Sequence, residues 1–159
     1  MLHDPEFHAG QAYAEMPTGL NVDFDIYRLF EGILIDPTQI GLIPDSIRQA
    51  VDWPIRRVSL CPHVLHRHVR NHDKHPLGFD CIRWIPWVIE HGSVMQDRKD
   101  NLVFFMRIPE LSRAYFWLPV EINKARDAIR VKSFHKRDPK NVCSKIRRHG
   151  LLRIGAGFN

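Results

Sequence analysis

Nothing in these 159 residues approaches the roughly 20 consecutive apolar residues that cross a bilayer. The opening Met1-Leu2-His3-Asp4-Pro5 has neither the basic nor the apolar region of a signal peptide, so a cytoplasmic location without membrane contact is expected. Cysteine is scarce. Cys61, Cys81 and Cys143 are odd in number and far apart, which argues against a disulfide framework and fits a reducing compartment. Each reads first as a small buried hydrophobe. The chain also lacks a glycine-rich phosphate loop, a Ser or Cys nucleophile motif and a His-Glu-x-x-His arrangement. No cysteine pair stands near the histidines to complete a structural zinc site. The pairs His63/His66 and His68/His72, three and four apart, keep a metal hydrolase as the minor alternative; the expectation is no metal and no cofactor.

Positive charge is nearly missing from one part and abundant in the other. Residues 1–55 hold two basic side chains, Arg28 and Arg48, against nine acidic ones, a net −7. Residues 56–159 hold 21 basic and nine acidic side chains, a net +12. Such asymmetry points to a polyanionic partner for the basic part. The acidic part either packs on the basic part or covers its binding site. The expected organisation is an acidic N-terminal extension over residues 1–55, one domain over 56–150 and a C-terminal tail over 151–159. The proportions, 44% hydrophobic and 26% charged, suit one ordinary globular core.

Helical spacing predicts helices over Val22 to Leu34 and Pro44 to Val51. Cys61-Pro62 opens a histidine-rich helix after a short strand from Arg56 to Leu60. On that helix Leu65 and Val69 share one face with His68 or His72, while His63, His66 and Arg70 share the other. A further helix from Asp80 to Gly92 kinks or restarts at Pro86. The period then changes. Val94 to Asp97, Leu102 to Ile108, Ala114 to Val120 and Ala128 to Phe134 read as strands, with Arg98-Lys99-Asp100-Asn101 a hairpin turn. Asp138 caps a final helix from Lys140 to His149 that Gly150 ends. The expected fold is α+β, with helices on one face of a roughly four-stranded antiparallel sheet. Alternation sets Tyr115, Trp117, Arg130 and Lys132 on the other face, which reads as an open working surface.

Four segments carry a family likeness: Leu65-His66-Arg67-His68-Val69, Ile85-Pro86-Trp87-Val88-Ile89-Glu90 leading to Val94, Arg98 with Lys99, and Val131-Lys132-Ser133-Phe134-His135. Over residues 56–148 the chain resembles the barnase/EndoU/colicin/RelE nuclease superfamily, most closely its phage- and prophage-associated branch. That resemblance implies metal-independent RNA cleavage of toxin or effector type. It places His66 or His68 where the first helix offers a catalytic polar group. Arg98 falls at the sheet cation, and Ser133 with His135 at the polar end of the last strand.

The residues fit such chemistry. Cleavage needs a base for the 2′-hydroxyl proton, an acid for the leaving 5′-oxygen and cations around the developing charge. Imidazoles suit the transfers, at roughly 10²–10⁴-fold each. His66 or His68 and His135 are the expected proton carriers, with Arg98, Lys132 and Lys136 on phosphate and Ser133 as a hydrogen-bonding helper. Lys99, Arg130 and Arg137 extend the nucleic-acid surface, and Tyr115 and Trp117 offer rings for base stacking. Simple alternation poses one difficulty: Ser133 and His135 fall opposite Lys132 unless the strand bends. The expected partners are RNA, tRNA included, and an immunity or antitoxin protein. The alternative is a non-catalytic nucleic-acid-binding or phage assembly protein.

Overall fold

A computed structural model describes residues 22–70, 76–156 and 158. In chain order the elements are α1 (Val22–Phe30), β1 (Thr38–Leu42), α2 (Asp45–Ala50), β2 (Arg57–Leu60) and α3 (Pro62–Val64), which runs on as a π-helix, Leu65–Arg70. Then follow α4 (Phe79–Ile82), α5 (Ile85–His91), β3 (Ser93–Arg98), β4 (Asn101–Arg107), β5 (Tyr115–Ile122), β6 (Ile129–Val131), β7 (His135–Arg137) and α6 (Pro139–His149). The fold is α+β, as expected.

The sheet is larger than the sequence suggested. Seven strands run in the order β1-β2-β6-β5-β4-β3, with β7 on β5 beside β6. All neighbours are antiparallel except β2 and β6, which pair in parallel over Val58↔Ile129 and Ser59↔Arg130. The roughly four-stranded antiparallel sheet is therefore corrected. Two registered pairs joining residues 71 apart carry no local turn signal, and β1, flanked by Pro37 and Pro44, reads locally as a breaker region.

β4 and β5 are buried almost continuously because both faces of the sheet are covered. Leu102, Phe104, Met106, Phe116, Leu118 and Val120 enter the main core beneath α1, the π-helix and α5. Met95, Val103, Phe105, Tyr115 and Trp117 form a second core with Val142 of α6, and Ile146 packs against it. Helices thus lie on both faces, not one. Tyr115 at 3% and Trp117 at 4% exposure are core residues, so the stacking platform expected of them is also corrected. Amphipathic α6 seals half of what read as an open face, since Val142 and Ile146 lie four apart on one side.

Residues 22–55 share this core: Ile26, Leu29, Ile40, Ile43, Ile47 and Trp53 are all buried in it, and β1 pairs with β2. The end of the chain docks too. Arg153 bridges to Val94, and its Nε donates to the Gly92 carbonyl at 2.9 Å. An added Cβ at Gly155 would collide with the Gly92 backbone, so only glycine permits that approach.

Candidate active site

The last strand is interrupted. β6 pairs with β5 through Val120↔Val131 and β7 through Trp117↔His135, a register offset by one residue across Lys132-Ser133-Phe134. Such an extra residue turns the strand and re-aims its side chains. Phe134 fills the main core, stacked on Phe116 at 5.6 Å, while Lys132, Ser133, His135 and Arg137 all line a concavity of about 350 Å³ on the opposite face. The interruption resolves the parity conflict between Lys132 and His135.

The walls of this groove come from four other places. The β3–β4 hairpin supplies Asp97, Arg98 and Asn101; β4 and β5 supply Val103, Trp117 and Pro119 as a floor. Lys145 enters from α6 and His68 from the π-helix. A second hollow of about 260 Å³ adjoins it, sharing His68 and Lys132 and adding His63 and Arg130. His63 and His68 are five apart, a spacing that the wider π-turn brings to one side. Leu65 and Val69 face the core as expected, but His68 is exposed and not on their face.

Four cations, two imidazoles and one carboxylate line the groove, so its field favours anions. The Ser133 hydroxyl lies 3.4 Å from Nδ1 of His135, and Nη2 of Arg137 lies 3.4 Å from its Nε2. Arg137 also donates through Nη1 to Asn141 Oδ1 at 2.9 Å and sits over the Trp117 ring at 4.7 Å. Burial pulls the pKa of its guanidinium below that of an ordinary arginine. Arginine nevertheless remains a cation in proteins, so the group stays a fixed, oriented donor. Lys132 is held loosely, 3.9 Å from Glu121, in a pair both of whose members are more than a third exposed. It is free to turn to a phosphate.

The chain matches no protein-family model, no curated protein and no solved structure. The site therefore rests on its own chemistry.

Of the residues expected at the site, the groove gathers His68, Arg98, Lys132, Ser133, His135, Arg137 and the edge of Trp117. It does not gather the rest. His66 is half-buried and lines neither hollow. Arg130 lies in the adjoining hollow, and Lys99 lines a separate cleft. Lys136 points to the other face, where its charge acts on Cys81. Tyr115 is enclosed by Phe105 and Phe158. Asp97, Asn101 and Lys145 were missed. Asp97 precedes the recognised turn and Asn101 closes it, and Lys145 lies three residues beyond core Val142, so spacing from those anchors was the available signal. Oδ1 of Asp97 is buried without a hydrogen-bond partner among the described residues, an acceptor left open at the groove.

Among the described residues, no group of three or more His, Cys, Asp or Glu converges as metal ligands. His72 and its pairing with His68 lie outside the described residues.

Proposed function

We propose that the groove is the active site of an endoribonuclease that cleaves RNA by imidazole acid-base chemistry, with its own cations in place of a metal. The observation that carries this reading is the meeting of His68 and His135, from separate elements, around Lys132, Arg98 and Arg137. Two proton carriers and three phosphate-binding cations are the groups that 2′-hydroxyl attack and 5′-oxygen departure require. His68, exposed at the rim, takes one proton transfer. His135, oriented by Ser133 and Arg137, takes the other. The resemblance of residues 56–148 to the barnase/EndoU/colicin/RelE superfamily adds a phage or toxin context, with an immunity protein as the partner expected there.

The test is incubation of the purified chain with total RNA and with tRNA in the presence of EDTA. Discrete fragments are expected, lost on His68→Ala or His135→Ala by 10²–10⁴-fold in rate and kept on His66→Ala. Intact RNA under EDTA but fragments with zinc or manganese would replace this chemistry with a metal-dependent one.

One observation favours a non-catalytic nucleic-acid-binding role. Both ring nitrogens of His135 already face a neighbour, so a substrate must displace Arg137 or Ser133 to reach them. RNA that binds and is never cut, with or without metal, would decide for it.

A further inference from the structure

A second basic cleft of about 580 Å³ lies behind the β3–β4 hairpin. Arg48, Lys99 and Arg126 line it with Trp53 and Asp52. The hairpin joins it to the groove: Arg98 and Asn101 line the groove, whereas Lys99, between them, lines the cleft. We infer that this cleft is a second phosphate subsite, holding a backbone phosphate of the nucleic-acid strand that leaves the groove across Lys99. The inference rests on the nucleic-acid reading of the groove.

The cleft is built rather than incidental. Asp52 and Arg126 are the only non-glycine residues of positive φ among those described, at 57° and 59°, and they meet there. Nη2 of Arg126 donates to the Asp52 carbonyl at 2.6 Å, and its Nη1 lies 3.5 Å from Asp100. Both residues sit in turns, Asp52 after α2 and Arg126 between β5 and β6, and the bond between them ties the two turns together at the cleft. Arg48 is fixed likewise, donating to the Trp53 carbonyl at 3.0 Å and to Asp45 at 3.1 Å.

Two groups are left open. The Lys99 ammonium has no ion-pair partner among the described residues, although its backbone carbonyl accepts from Gln96. The indole N–H of Trp53 is buried, in a residue 1% exposed, with no hydrogen-bond partner. No acceptor for it stands among the described residues. A phosphate would supply a counter-charge to Lys99, while Arg48 and Arg126 stay anchored by Asp45 and Asp100. Asp52 is the one carboxylate in the lining, against the three cations Arg48, Lys99 and Arg126, and its backbone carbonyl accepts from Arg126.

The test uses the full chain and two fluorescent 2′-O-methyl oligoribonucleotides, of three and twelve nucleotides, that cannot be cleaved. Anisotropy gives affinity as a function of salt. Lys99→Gln combined with Arg126→Gly is expected to weaken the twelve-mer about tenfold and leave the trinucleotide unchanged. Each phosphate contact on a single strand contributes about 0.7 to the salt slope, so losing the one phosphate of the subsite should lower the slope by about 0.7 for the twelve-mer alone. Glycine accepts the φ of position 126, and thermal unfolding checks the fold; Lys99→Gln alone should retain about half of the slope change. Equal losses on both lengths, or none on the twelve-mer, would overturn the subsite while leaving the groove intact. A wild-type chain that binds neither oligonucleotide would remove the nucleic-acid reading and the subsite with it.

Discussion

His135 shows how little a residue's identity says about its part until its neighbours are known. Arginine only donates, so the 3.4 Å approach of Arg137 makes Nε2 of His135 an acceptor and puts the neutral ring's proton on Nδ1, toward Ser133. Long-range nitrogen-proton spectra should show that tautomer in the wild type and lose it in Arg137→Ala. The wealth of histidines was legible in the sequence; the choice among them was not. The π-turn sets His63 and His68 together and leaves His66 aside, which spacing at 3.6 residues per turn cannot anticipate. The cysteines divide in the same way. Cys61 and Cys81 are the buried hydrophobes expected, but Cys143 is exposed on α6, so it alone should react quickly with a thiol reagent before denaturation. Burial first, then the charge of Asp80, pushes the Cys81 thiol from 9.0 up to about 11, with Lys136 opposing. A raised folded value means full stabilisation below pH 9.0, lost as pH climbs toward about 11 because the unfolded thiol ionises first. Urea unfolding under reductant should show roughly 2 kcal/mol of the stability lost between pH 8.5 and 10.5 disappearing from that loss in Cys81→Ala.

At the scale of elements, the interruption between β6 and β7 creates the groove, and one ring fixes it. Phe134 is fully buried and stacked on Phe116, so it anchors the extra residue while Lys132 and Ser133 turn away. Phe134→Ala should cost about 3–5 kcal/mol in equilibrium unfolding, and cleavage should fall further than stability explains as the register relaxes. A smaller effect is expected at α6, where Asp138 Oδ1 accepts from the Lys140 amide at 2.7 Å. Asp138→Ala should cost about 1 kcal/mol and loosen Lys145 at the groove wall. The hairpins from Ser93 to Ile122 and the capped α6 were readable because each carries its own signals: alternating runs, a polar turn, Asp-Pro and Gly150. β1 was not. Its five residues, Thr-Gln-Ile-Gly-Leu, carry a bulge between Gln39 and Gly41 and gain their order from β2.

For the whole molecule, the charge asymmetry misled as a guide to where the folded unit begins, since residues 26–53 are part of the main core. None of residues 22–55 lines the groove, so the described acidic segment does not cover it. Instead Asp45 pairs with Arg48 and with Arg56 at 3.4 Å, linking the acidic segment to the start of the basic one. Charge sorts by partner, whereas folding sorts by buried area, and the two boundaries need not coincide. Ile26, Leu29, Ile40, Ile43, Ile47 and Trp53 each bury fully or nearly so. At about 1.5–3 kcal/mol per side chain the six contribute roughly 9–18 kcal/mol, as much as the entire stability of a typical domain, about 5–15 kcal/mol. Removing residues 1–55 would also strip β1 from β2 and leave that strand as a bare edge. Residues 56–159 alone should therefore show no cooperative thermal transition and poor amide dispersion, despite containing the whole groove. A sharp unfolding transition from that fragment would mean that the C-terminal part carries its own core, and that the N-terminal strand and helices are an attachment to it.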